Sequence, residues 1–588
     1  MLSEKKVVEM PVSERGPTLP RTSISWVLLV LGALAALGFG AFAFVQQTLH
    51  GFIVTGLRNP GYGSAAWGWY IAFDVFFVGV SFAGITIAAV CRLFDVAVLK
   101  PITRMAELLT ITALLAGAGV VVSDLGRPLE GLLRLPRFAN PSSPFYGTFT
   151  LVVAGYMFSS LVYFFLAGRA DAAAVAKNPD QPGRLFYLIW ASGYRDLPAH
   201  RVRHHRVSFW LALTILPLLV TAHSTLGFIF GLQSGRPGWY SALQAPGFVI
   251  LAGVSGTGLL ILCALGFRRL FKLHRDLPDA TFHWLGNFLW ILSLVYLYFM
   301  IVDELTATYS GPLADREIAH EIVGGAFAPF FWTCAGSLFL TFLIPFLLYV
   351  RGKRSVGWVA VAGVTANIAA VLKRFLIVVP SQTHGTMIPI EPPQMYTPTW
   401  IEFGVVGGLF GLMALSQLLF GRFFPLVPSP HPHDHDFRGP REVRRPVATL
   451  FAAACAIALV VVGLTDSFRL WSHGEVDPRI PFSPVIFASG VMLLFISAIV
   501  YEVFPDRRPT EREMWREHKM ALMASHPRLD AGDHVDGEIH VPGRADVQQV
   551  VRLARSADDA SKKDDARRTV EILDELAHLA SRLSGSRR

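Results

Sequence analysis

The chain has 588 residues, 53% of them hydrophobic and 16% charged, with a formal net charge of +9. That apolar excess excludes a large soluble core and indicates a polytopic membrane protein. The basic balance does not call for nucleic acid, because Lys and Arg gather in short loops between apolar runs, where they act as an orientation signal.

Segment 1–22 carries Lys5, Lys6, Arg15 and Arg21 before an apolar run too long for a leader peptide and without a clear cleavage site, so it reads as a retained helix. Twelve apolar runs, each near the ~20 residues a bilayer requires, follow in order. They cover 24–48, 67–94, 102–123, 147–168, 207–233, 245–267, 283–307, 326–350, 356–380, 399–421, 447–467 and 482–504. The N-terminus and the loops near 92–104, 169–206, 268–275, 351–354 and 422–445 hold four, three, seven, four, three and five Lys or Arg. The intervening loops hold one, three, one, one, none and two, which puts both termini in the cytoplasm.

The expected fold is an all-α polytopic membrane protein with a transmembrane body over 23–425. A His/Pro-rich linker at 426–446, two additional helices over 447–505 and a soluble tail over 506–588 complete the chain. In the linker, His431, His433 and His435 with Asp434 and Asp436 could hold a metal weakly, but alternate residues of a loop impose no geometry, and a flexible spacer is preferred. The tail places Val570, Leu573, Leu576, Ala580 and Leu583 at helical spacing, the pattern of a short amphipathic helix.

Cys91, Cys263, Cys334 and Cys455 lie inside apolar runs, and no CxxC or CxxCH occurs, so no iron–sulfur or c-type haem site is expected in this chain. His223 is the only mid-span histidine and His283 lies at a helix start, which argues against paired b-haem ligands.

Residues 122–147, VSDLGRPLEGLLRLPRFANPSSPFYG, form the most basic of the outer loops. Asp124 and Arg127 fall where one apolar helix ends, Pro128 stops that helix, and Arg134, Arg137 and Asn140 follow. One reading is a solvated loop with an Asp124–Arg127 pair; the other is a hairpin that lines a cavity or meets a partner.

Depth along the helices, at ~1.5 Å per residue, separates these readings. Asp74 lies about 10 Å in from the outer face and His223 about 15 Å. Asp303, Glu304, Lys373, Arg374 and Glu402 also fall in the outer half. The inner half offers mainly Arg104, Glu107, Asn287 and Asn367. Ionisable groups at membrane depth mark ligand or proton sites, unless they are interhelical ion pairs such as Asp303 with Arg374 that only fasten the bundle. A secondary transporter is the competing class, although the chain has no charged GxxxDRxGRR-like loop and no matched pair of interrupted helices. Gly79, Ala83 and Gly84, and Gly253, Gly256 and Gly258, suit close helix packing.

The sequence resembles the NrfD/PsrC family of integral membrane subunits. The matching stretches are WGWY at 67–70 running into IAFDVFFVGVSFAG, DLGRP at 124–128, Asn140 with SSPFYG, and His223-Ser224. ANIAAVLKRFLIVVP and YTPTWIEFGVVGGLFG resemble the longer, ten-helix branch, which includes the C and F subunits of alternative complex III and Hme/Dsr-type subunits.

The resemblance implies two four-helix bundles plus extra helices in a bacterial inner membrane. It also implies a site for menaquinone or ubiquinone in the periplasmic half, and a periplasmic ferredoxin-like iron–sulfur partner in a complex with a molybdoenzyme or multihaem cytochrome. Asp74, Asp124, Arg127 and His223 would meet the quinone, with His223 and a carboxylate of Asp74 or Asp124 exchanging protons. Arg134, Arg137 and Asn140 would face the partner. Proton translocation would need a relay drawn from Glu107, Asp303, Glu304, Arg374 and Glu402. A transporter that works alone, or an anchor without quinone chemistry of its own, are the alternatives.

Overall fold

The computed structural model describes residues 22–57, 65–138, 155–179, 181–194, 198–383, 396–428, 451–462 and 483–503, and these contain helices and connections but no strand. Ten helices among them are long and apolar enough to cross a membrane. They correspond to the first ten expected spans, and the chain is a multi-pass integral membrane protein.

In chain order the helices are α1 (Ile24–His50), α2 (Trp69–Leu93), α3 (Thr103–Asp124), α4 (Pro128–Phe138), α5 (Phe158–Ala176), α6 (Arg184–Ala191), α7 (Pro198–Gly231) and α8 (Gln244–Leu270). Then come α9 (Asp279–Ser310), α10 (Leu313–Val323), α11 (Ala328–Val350), α12 (Val356–Val378), α13 (Pro380–Thr383) and α14 (Trp400–Phe423). The two remaining expected spans contribute α15 (Phe451–Val462) and α16 (Ser483–Val503).

Local chemistry sets several of these limits. The Ser23 hydroxyl accepts the Trp26 N–H at 3.2 Å and starts α1. Thr399 and Glu402 form a reciprocal capping box at the start of α14. At the end of α3, Gly126 takes a left-handed φ of 71°, which a residue with a Cβ adopts only at a cost. Pro128 then opens α4, where its missing N–H would have had no helical partner. The DLGRP sequence is thus a helix–turn–helix joint, and Pro128 begins a second helix as well as ending the first.

Two four-helix groups make up the body: α2, α3, α5 and α7, and then α8, α9, α11 and α12. They meet along a seam where α2 packs on α8 and α12, and α7 packs on α8. The pair α1–α14 lies against α3 and α2, and α16 lies against α5 and α7. Burial follows this order: 89% of the apolar window of α2 is buried, against 17% for α1, so α2 has almost no lipid-facing side.

Small residues permit the closest approaches. A Cβ on Gly256 of α8 would sit 2.5 Å from the Val80 carbonyl and 2.6 Å from Ala83 of α2. Gly40 and Gly408 make the α1–α14 contact, where a Cβ on Gly408 would come within 2.6 Å of the Gly40 Cα. Gly407, one residue away, has open space around it. Gly408→Leu is therefore expected to lower the thermal unfolding midpoint in detergent, at a cost of roughly 1–3 kcal/mol or more. Gly407→Leu should leave it unchanged; equal effects would show that this contact does not set the α1 position.

Candidate functional site

Of the residues expected to meet a quinone, Asp74 and Asp124 lie toward the end of α2 and α3 that leads into α4. Asp74 lies one turn from Val78 on α2, facing Gly117 of α3, where a Cβ would lie 3.4 Å from Asp74 Oδ1. Asp124, the last residue of α3, is buried and is an electrostatic neighbour of both Asp74 and Tyr70. The Tyr70 hydroxyl donates to Gln47 Oε1 at 2.5 Å, and Gln47 Nε2 donates to the Ser123 carbonyl at 2.7 Å. This relay ties α1, α2 and α3 together beside the two carboxylates. On the neighbouring side, Phe73 and Phe77 of α2 pack edge-on or tilted against Phe410 of α14.

His223 is fully buried between α7, α2 and α5. Its Nδ1 lies 2.9 Å from the Leu219 carbonyl and its Nε2 lies 2.9 Å from the Val78 carbonyl. Phe82 and Tyr156 flank the ring at 5.0 and 5.9 Å. A neutral imidazole has one N–H, so His223 donates to one of these two carbonyls, the tautomer deciding which, and its other nitrogen faces a second carbonyl oxygen without a hydrogen bond to it. This histidine fastens α7 to the centre of α2.

Arg127 points out of the bundle. Its side chain is 84% exposed and lies 3.6 Å from Glu130, so it pairs within the joint and not with Asp124. Arg134 is also exposed on α4, Arg137 lies in the same helix, and Asn140 lies outside the described residues. The linker histidines and the tail helix lie outside them too.

The remaining outer-half charges form separate groups. Asp303 accepts from the Ser241 hydroxyl at 3.0 Å and shares a small cavity with Lys373, Tyr296 and Gln244. Glu304 is an electrostatic neighbour of Lys373 and Asp303. Arg374 stacks its guanidinium 4.2 Å from the Phe248 ring and donates to the Phe248 carbonyl at 3.3 Å, so it is not tied to Asp303. Its Nη1 is buried with no hydrogen-bond partner among the described residues. Glu402 accepts the N–H groups of Gly56 and Thr399 at 2.8 and 2.9 Å and the hydroxyl of Tyr396, while that hydroxyl accepts the Trp69 N–H at 2.8 Å. The Glu402 carboxylate is a structural hub for the start of α2 and α14. Among the described residues, no group of three or more His, Cys, Asp or Glu could hold a metal ion.

Residues 59–385 match the family described as Polysulphide reductase, NrfD. The chain belongs to the NrfD family. It is 28% identical over 448 residues to the membrane C subunit of a putative dimethyl sulfoxide reductase of Halobacterium salinarum, covering 72% of this chain and 96% of that protein. It is 24% identical over 385 residues to the C subunit of the selenate reductase of Mesobacillus selenatarsenatis, with 62% and 86% covered. It is 23% identical over 419 residues to an Hdr-like menaquinol oxidoreductase integral membrane subunit of Archaeoglobus fulgidus, with 68% and 93% covered.

This NrfD chain also carries a charged network at the opposite end of the same bundle. Arg104 donates to Asp171 and to the Ala167 carbonyl at 2.6 and 2.8 Å, with both side chains of the ion pair 3% exposed. Glu107 lies 3.3 Å from Arg92, whose guanidinium lies 4.5 Å from the Tyr163 ring centre. Arg104 and Glu107 were legible as charges expected in the inner half, but Arg92 and Asp171 sit at span ends and read as loop residues. Gln47, Tyr70 and Tyr396 were missed as well; the amide near the end of the otherwise apolar α1 was the available signal for the first.

Two measurements test these polar contacts. Arg104→Met strips Asp171 of its 2.6 Å partner and should cost about 3–5 kcal/mol, while Arg104→Met with Asp171→Leu should recover most of the loss. A double variant no more stable than the single would remove the ion pair as the cause. Tyr396 lies between spans, where burial and the Glu402 carboxylate hold its phenol above the ordinary range. A folded value above the unfolded one, about 10, means stability is full below about pH 10 and falls as pH rises through the folded value. Tyr396→Phe should cost roughly 1–3 kcal/mol at neutral pH and show a smaller alkaline fall in melting curves.

Proposed function

We propose that this chain is the quinone-reactive membrane subunit of a respiratory oxidoreductase, exchanging electrons between membrane quinone and a periplasmic ferredoxin-like iron–sulfur partner. The NrfD family and the three relatives support the coarser statement, a membrane subunit of a redox complex. The word menaquinol in the name of the A. fulgidus relative supports a quinone as the ligand. The alternation of Lys and Arg between loops supports cytoplasmic termini and an outer location for Asp124 in a bacterial inner membrane.

The observation that carries the proposal is that Asp74 faces α3 at Gly117, beside an aromatic wall, and that the same helix ends on buried Asp124 directly before the basic helix α4. Neighbouring carboxylates form a site able to take up and return a proton. A bound quinone supplies a two-electron, two-proton couple. In this reading Asp74 and Asp124 hold and move the protons, the Gln47–Tyr70 relay holds the last turn of α3 through the Ser123 carbonyl, and Phe73 and Phe77 exclude water. His223 keeps α2 and α7 in register, donating its one N–H to a backbone carbonyl. Arg127, Arg134 and Arg137, with Asn140, receive an acidic partner surface, and a molybdoenzyme or multihaem cytochrome completes the complex.

Proton translocation is a separate part of the proposal. The buried Glu107–Arg92 and Arg104–Asp171 network would receive protons from the cytoplasm. Asp303, Glu304 and Arg374 would continue that relay, while Glu402 is held by its capping role.

Asp74→Asn and Asp124→Asn should each lower quinol turnover by about 10²–10⁴-fold in the assembled complex. Full turnover in both variants would sink the proposal. Arg127→Glu with Arg134→Glu should reduce co-purification of the iron–sulfur protein; a purified chain that transports a solute without any redox partner would favour the transporter class instead.

A further inference from the structure

A cavity of about 390 Å³ opens between α9, α11 and α12 at the Arg104 end of the body, away from Asp124. Its floor is apolar, made by Val98, Pro345, Leu348 and Val359. The Thr281 hydroxyl donates to the Val98 carbonyl at 2.7 Å, which pins the start of α9 to the short 97–102 turn and fixes one wall. The polar lining groups are His283 and Asn287, one turn apart on α9, with Lys353 and Arg354 from the loop between α11 and α12. No acid is among the lining residues described. Asp279, one turn before His283, is taken up by Arg268 at 2.6 Å. His283 Nε2 is buried and has no hydrogen-bond partner among the described residues.

The location restricts the ligand. α11 ends at Val350 and α12 begins at Val356, so Lys353 and Arg354 sit where two membrane-length helices end, at the level of lipid headgroups. Trp284 and Tyr349 line the same cavity, and indole and phenol rings favour that boundary. A free phosphate would use the cations but leave the apolar floor wet. A neutral quinone would cover the floor but leave two cations and the His283 nitrogen unanswered. An anionic amphiphile satisfies both.

We propose that this cavity seats one anionic phospholipid. Its phosphate lies among Lys353, Arg354 and His283, and an acyl chain runs over Leu348, Pro345 and Val359. The lipid fills the gap between α9, α11 and the start of α12. The site is independent of the Asp74–Asp124 chemistry, so loss of one does not entail loss of the other.

The test uses the full chain with its co-purifying subunits, stripped of lipid in detergent and supplied with phosphatidylglycerol, phosphatidylcholine or inorganic phosphate. Bound lipid is read by native mass spectrometry and the unfolding midpoint by a thermal scan. Phosphatidylglycerol is expected to remain bound as a single discrete adduct and to raise the midpoint, with neither of the other two substituting. Lys353→Gln with Arg354→Gln should weaken its binding about thirtyfold, since each basic group near a membrane surface contributes roughly fivefold. Leu348→Trp keeps every charge but fills the floor, and should also expel the adduct. Size-exclusion profiles establish that each variant is folded. Retention in the folded Leu348→Trp variant would reduce the effect to general surface attraction and overturn the seat. Equal binding of phosphatidylcholine, or displacement by inorganic phosphate, would overturn it as well.

Discussion

The fold depends on a helix that has almost no contact with lipid. α2 is surrounded by α3, α7, α8 and α12, so every polar atom it carries must be met by protein or by a ligand. Its backbone supplies acceptors to its neighbours: the Val78 carbonyl faces His223 of α7, and the Ser81 carbonyl receives the hydroxyls of Thr110 and Tyr156. In a low-dielectric interior these contacts act as position markers, because a small shift of α7 or α3 would leave a buried donor unmet. Gly256 and Gly84 permit this, since side chains there would collide with Val80 or Ala106 and hold the neighbouring helices apart. The position of Asp74 is a consequence of how α2 is held.

Most of the architecture was legible because a membrane imposes one dominant pattern. A run of ~20 apolar residues has few alternatives to a spanning helix, and the ten spans and the close approach at Gly256 followed from composition alone. The short helices α4, α6 and α10 were not, because they are no longer than a loop and their periodicity is brief. Contacts between distant segments were also hidden. Nothing local to Glu402 indicates that its carboxylate meets Gly56, almost 350 positions earlier, and its acidity at membrane depth reads equally well as a proton carrier. His223 shows the same limit: its depth is a property of the sequence, but the carbonyls that face its nitrogens belong to the folded bundle.

The two ends of the first bundle solve the problem of buried charge differently. At the Arg104 end, acids and bases are matched side by side, as in Arg104 with Asp171 and Glu107 with Arg92. Matching offsets part of the desolvation cost and makes such groups good fasteners. At the Asp124 end, Asp74 and Asp124 lie within electrostatic reach of each other, while Arg127 pairs with Glu130 outside the bundle and Arg374 stacks on Phe248.

The helix–turn–helix joint at DLGRP connects the buried end of α3 to the exposed start of α4. Gly126 allows the reversal, Pro128 starts α4 at once, and buried Asp124 stands only three positions before exposed Arg127. A longer loop would place the cationic surface farther from the carboxylates and let it move independently of them. With the joint this short, a partner that fixes α4 also constrains the end of α3. Under the proposed function, docking at α4 and proton exchange at Asp124 would then be coupled through a few backbone torsions, which would give the glycine and the proline of this turn a mechanical role.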